Sequence, residues 1–213
     1  MHIRLRDPAN GWTHFAGILL AAIGLVLLLV RASHPFSPVH VVVFAIFGSA
    51  MILLYTFSTL YHWLPLAGRA LERLRRLDHI MIFVFIAATY TPVCLITLRG
   101  AWGWSILGAV WGLALAGAVM KLFWLDAPRR WSTAVYLLMG WTIVVGIWPL
   151  THRLAAGGLV WMAAGGLCYT VGAVIYALKR PDPWPRLLGF HGIFHLCVLA
   201  GSFAHFWLMY RYV

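Results

Sequence analysis

The chain has 213 residues, of which 63% are hydrophobic and 10% charged, with a formal net charge of +11. A charged fraction that far below the roughly 25% of soluble domains excludes an ordinary soluble fold and predicts an all-α integral membrane protein. Basic residues beside membrane spans act mainly as topology signals, so the positive charge is not read as a nucleic-acid surface.

Seven apolar runs have the length of about 20 residues needed to cross some 30 Å of hydrocarbon. They predict helices at about 11–30, 39–62, 78–98, 103–123, 132–150, 156–178 and 187–210, separated by breakers such as Ser33-His34-Pro35, Asp126-Ala127-Pro128 and Pro181-Asp182-Pro183. The expectation is one seven-helix transmembrane domain over residues 1–213, because the loops and termini leave no room for a soluble domain. The first run follows two arginines as a signal peptide would, but its core is too long and no small-residue cleavage pattern follows, so it reads as a retained helix. Arg4, Arg6, Arg69, Arg73, Arg75, Arg76, Lys121, Arg129, Arg130, Lys179, Arg180 and Arg186 fall on one side, and Arg31, Arg99, Arg153 and Arg211 on the other. That bias predicts a cytoplasmic N-terminus and an external C-terminus in the cell's inner (plasma) membrane.

Taken in order, the first helix opens with Asn10 and His14, four apart, which either brace a site from behind or cap the helix at the interface. The second ends with Ser58 and His62, also on one helical face. The third begins with Asp78-His79 at the same membrane face, and His79 points about 100° away from Asp78, which gives it a structural or surface role. Tyr90-Thr91-Pro92 predicts a kink in the third helix. Gly108, Gly112, Gly117, Gly140, Gly165 and Gly166, along the fourth to sixth helices, predict close helix approach in lipid. The seventh helix opens with His191 and His195, a second pair four apart. His205 lies about 15 Å farther along and on another face, a poor partner for them, and His2, His34, His40 and His152 read as solvated. Cys94, Cys168 and Cys197 sit in apolar runs without a CxxC pair and read as small buried residues.

Two histidines at i and i+4 can chelate one ion, and a third from another helix completes a three-ligand set with an open position. Histidines near helix ends can equally sit at the headgroup boundary or satisfy a helix terminus. Ionisable groups inside a membrane are nevertheless costly, and three separate segments deliver matching groups to one depth: His62 from the second helix, Asp78 from the third, and His191 with His195 from the seventh. Imidazole with a nearby carboxylate suits Zn²⁺ better than Mg²⁺ or Ca²⁺. Asp78 then serves as a ligand or as partner to metal-bound water, and Ser58 as an outer donor or a substrate contact. A serine nucleophile at Ser58, with His62 and Asp78, is the competing arrangement, but no GxSxG elbow surrounds it.

These stretches, namely Asn10 to His14, Ser58-Thr59-Leu60-Tyr61-His62, Leu77-Asp78-His79, Ala88 to Pro92, and His191 to His195 continuing to Phe206, resemble the hemolysin III branch of the progestin and adipoQ receptor family. The resemblance covers nearly the whole chain. It implies a seven-helix bundle with an inward N-terminus and a zinc ion near the cytoplasmic face, held at His62, His191 and His195, with Asp78 holding or facing a water and Ser58 close by. Bacterial relatives often carry Glu three residues before the helix 1 asparagine, where this chain has Asp7, which leaves the role of that carboxylate open. The long N-terminal extension of the receptor members is missing here. Through the ceramidase-like group, the resemblance implies a zinc-dependent hydrolase of a lipid amide or ester, with a membrane lipid or fatty-acid-derived ligand between the helices. A zinc-stabilised, non-enzymatic regulator of membrane state and a cytolytic protein are the alternatives, the last without an amphipathic segment to support it. Polar groups gathered at one end suit a channel or transporter less well.

Overall fold

The computed structural model describes residues 5–185 and 187–213. His2, Arg4 and Arg186, read above as solvated or as topology signals, lie outside the described residues. Among the described residues, seven helices are long and apolar enough to span a membrane: α1 (Pro8–Ala32), α2 (Pro38–Trp63), α3 (Gly68–Leu98), α4 (Gly100–Phe123), α5 (Arg129–Thr151), α6 (Ala156–Leu178) and α7 (Gly189–Tyr212). Helices answer the lipid's lack of hydrogen-bond partners, since every backbone donor and acceptor is satisfied within the segment. Leu20, Leu115, Val145 and Leu167 lie exposed on outward faces, as side chains meeting lipid should.

Six of the seven boundaries agree with the apolar pattern to within about three residues; α3 does not. Hydropathy places its start at Asp78, but the helix begins ten residues earlier, at Gly68, whose φ of +54° turns the chain into it. The added segment, Arg69 to Leu77, is rich in Leu, Arg, Ala and Glu, all strong helix formers. Apolarity marks where a helix meets hydrocarbon, whereas propensity decides where it starts. Asp78 therefore stands about 15 Å inside α3 rather than in its first turn.

α1, α2, α3, α5, α6 and α7 pack in a ring, each against the next and α7 back against α1, while α4 packs mainly on α3. The core is densest where α2 meets α3: Phe44, Phe47, Phe83, Ala87, Ala88 and Cys94 have no accessible surface. Pro92 stays inside α3, and the disturbance expected there takes the form of a π-helical stretch over Val93–Leu98. α5 is interrupted as well, by a 3-10 stretch at Trp141–Gly146. Tyr90 of α3 serves that break: its hydroxyl lies 3.0 Å from the Met139 carbonyl oxygen and accepts a hydrogen bond from the Ile143 N–H at 3.1 Å.

The glycines behave differently from the expectation. A Cβ at Gly117 would meet the Phe83 ring at 2.3 Å, and one at Gly165 would meet the His205 ring at 2.3 Å, so these two do permit close approach. Gly108, Gly112, Gly140 and Gly166 have open space within 4 Å of a built Cβ and do not mediate packing. Sequence cannot tell a glycine facing a neighbour from one facing lipid on helices that are apolar all round.

Candidate metal centre

Three helix ends meet at the face where α1 begins. The last turn of α2 carries His62, and the first two turns of α7 carry His191 and His195 on one face. Each of the three offers a ring nitrogen, and these nitrogens all lie within 4.8 Å of one another. The Nε2 atoms of His62 and His191 are 3.2 Å apart. A tetrahedral zinc with bonds of about 2.0–2.1 Å holds its nitrogens about 3.3–3.4 Å apart, so the trio is close to the spacing such an ion requires.

The other ring nitrogens decide which atoms remain free. His62 Nδ1 donates to Asp7 Oδ2 at 2.9 Å, and His195 Nδ1 lies 3.2 Å from the Asn10 carbonyl oxygen and 3.0 Å from Thr13 Oγ1. A carboxylate and a carbonyl only accept, so both histidines carry their proton on Nδ1 and keep a lone pair on Nε2. Oriented imidazoles of this kind are what metal ligation requires. With its proton on Nδ1, His62 turns the lone pair of Nε2 toward His191 Nε2 at 3.2 Å, where a proton or a shared cation fits between the two rings.

α1 supplies this orienting layer. Asp7 precedes its first turn, and the Asp7 N–H donates to the His62 carbonyl oxygen at 2.9 Å, tying the start of α1 to the end of α2. Asn10 Nδ2 donates to Asp7 Oδ2 at 2.8 Å. Burial opposes ionisation of Asp7, but the hydrogen bonds from His62 and Asn10 outweigh it and hold its pKa at about 2. Asp7 therefore faces His62 as an anion throughout the physiological range. His14 lies flat on His195, with ring centroids 3.6 Å apart and planes 11° from parallel, and this stacking fixes the His195 ring. Of the two readings left open for Asn10 and His14, bracing the histidines from behind is the one the structure gives. Gly11 and Gly192 make the approach possible, because a Cβ at either would collide with Trp63 or with Leu188 and Asn10.

Ser58 is buried and Asp78 half-buried, and both line the cavity that the histidines border. Among the described residues Asp78 does not belong to the cluster of mutually close ligand atoms. His79 turns its Nδ1 to the Arg75 carbonyl oxygen at 2.6 Å, a structural contact. His205 stacks on Tyr169, away from the trio. Asp7 and Thr13 escaped the sequence reading as orienting groups. The only signal for Asp7 was its spacing of three from Asn10, and nothing in the sequence pairs Thr13 with His195, 182 positions away.

The cavity has a volume of about 840 Å³ and runs from the histidines down the middle of the ring. Its walls are mainly apolar, with Ile82, Phe85, Ile143, Leu159 and Met162 facing it, and they carry polar groups beyond the histidines as well, among them Thr89, Lys121, Thr133 and Thr170. That size lies within the range of sites that hold a small-molecule or single-chain ligand.

A family model described as "Haemolysin-III related" matches residues 3–206. The chain is 40% identical to "Hemolysin-3" of Bacillus cereus, over 97% of this chain and 91% of that protein. It is 24% identical to the human "Monocyte to macrophage differentiation factor" over 96% of this chain and 83% of that one. With the "Adiponectin receptor protein" of Drosophila melanogaster it shares 26% identity over 94% of its own length and 49% of the receptor's.

Proposed function

The chain belongs to the haemolysin-III related family, and from that premise we propose that its buried histidine trio holds Zn²⁺ and serves hydrolysis of a lipid amide or ester within the membrane. The observation that carries this reading is the convergence of three ring nitrogens within 4.8 Å at one end of a long, mainly apolar cavity. His62, His191 and His195 would hold the ion, with Asp7, Asn10 and Thr13 orienting the rings. When bound, zinc would supply Lewis acidity toward the scissile carbonyl and toward water.

The chain's own residues account for the rest. The apolar walls hold the acyl chain and exclude bulk water, leaving its carbonyl at the histidine end. Asp78, a carboxylate lining the same cavity, accepts a proton from the attacking water. That water's oxygen joins the acyl carbon, the bond to the amine or alcohol breaks, and Asp78 returns the proton to the leaving group. Ser58 offers a hydroxyl to the same space and positions water or substrate.

Purified protein is expected to carry about one zinc per chain and to release fatty acid from an N-acyl or O-acyl lipid. His195→Ala should lose both properties and Asp78→Asn only the second. A metal-free preparation that keeps full turnover sinks the proposal. Stoichiometric zinc without turnover of any amide or ester lipid would instead leave the ion as a clip between α2 and α7, the non-enzymatic reading.

A further inference from the structure

α4 stands outside the ring, and its single contribution to the cavity wall is Lys121, the only charged residue on that helix. The side chain is 2% exposed, and its Nζ donates to Ser132 Oγ of α5 at 2.8 Å. Ser132 is neutral, and among the described residues no carboxylate lies within salt-bridge distance of the ammonium: the two ion pairs there are His62 with Asp7 and Arg75 with Asp126. Thr133, next to Ser132, also lines the cavity and is 3% exposed, and among the described residues its hydroxyl has no hydrogen-bond partner. A buried ammonium with no carboxylate in contact and a buried hydroxyl without a partner are both unfavourable unless something polar enters between them. An ionisable residue facing the interior of a membrane protein marks a ligand path rather than packing.

We propose that Lys121, Ser132 and Thr133 form a second polar subsite of the cavity, which takes the phosphate or carboxylate oxygens of an anionic amphiphile whose apolar chain lies along the cavity wall. The inference rests on reading the cavity as a lipid slot and specifies its occupant: an anionic lipid, not a neutral one. Lys121 supplies the charge, the two hydroxyls supply donors, and α5, which carries both hydroxyls, sets their spacing from α4.

Thermal unfolding of the full-length protein in a neutral maltoside detergent tests this with dodecyl phosphate, chain-matched dodecanol and inorganic phosphate. Dodecyl phosphate at saturation should raise Tm by about 4 °C or more, and dodecanol and inorganic phosphate should each do far less. Lys121→Met should abolish the excess of dodecyl phosphate over dodecanol, Lys121→Arg should keep most of it, and Ser132→Ala should reduce it. Equal shifts from dodecyl phosphate and dodecanol in the wild type, an undiminished excess in Lys121→Met, or a full shift from inorganic phosphate alone would each overturn the proposal. Should Lys121→Met not fold, the wild-type comparison of the three probes and the Ser132→Ala variant still decide it. The readout is stability, so an inert hydrolytic centre leaves this test intact, and a failed shift says nothing against hydrolysis.

Discussion

His62 shows how much of a ligand's behaviour lies in its neighbours. Its ring could turn either nitrogen toward His191, and Asp7 Oδ2 at 2.9 Å from Nδ1 selects which. Asp7→Asn keeps the shape but removes the anion, so metal affinity should fall about 10- to 100-fold, the usual effect of losing an outer partner. Chelator competition monitored by a zinc-sensitive dye reads this directly, and an unchanged affinity would mean that Asp7 serves only the α1–α2 junction. His14 acts by stacking rather than by hydrogen bonding, since among the described residues neither of its buried ring nitrogens has a partner. His14→Phe, which preserves a flat ring, should therefore retain more zinc than His14→Ala, as measured by elemental analysis.

Packing at the scale of the helix is decided by which small residues face a neighbour. Gly117 abuts the fully buried Phe83, so Gly117→Ala should destabilise by about 1–3 kcal/mol through overpacking. Gly112, on the same helix and five residues away, faces open space, and Gly112→Ala should change stability by less than about 0.5 kcal/mol. Thermal unfolding of the two variants side by side checks the contrast, and comparable losses would mean that the outer face of α4 meets a partner. α3 makes a related point about where helices begin. Its first ten residues are too charged for hydrocarbon yet helical, so a hydropathy reading starts the element about three turns late, although Asp78 still borders the cavity with Ser58 and His62. The histidines suffered no such error, because α2 ends and α7 begins where polarity and helix breakers coincide.

For the molecule as a whole, the centre links the start of α1, the end of α2 and the start of α7, elements far apart in sequence. A bound ion stabilises only the state in which all three meet. Extraction of metal by a chelator should therefore lower Tm, and restored zinc should raise it again; a Tm indifferent to both would deny the trio any ion. The charge bias among the loops puts the histidine end at the cytoplasmic side, which is our proposed orientation. Reporter fusions at the C-terminus should report an external location, and a cytoplasmic signal there would invert the bundle.

Composition and hydropathy determined the membrane setting and the seven spans, because lipid solvation acts on every residue locally, while helical spacing and the family resemblance together singled out the three histidines. Asp7 behind His62, His14 stacked on His195, Lys121 reaching the cavity from a helix outside the ring, and the division of glycines between packing and lipid were decided only by the tertiary structure. Each of these depends on how apolar helices rotate and tilt against one another. In a solvent as apolar as their own side chains, no amphipathic pattern is needed to orient them, so none was written into the sequence to be read.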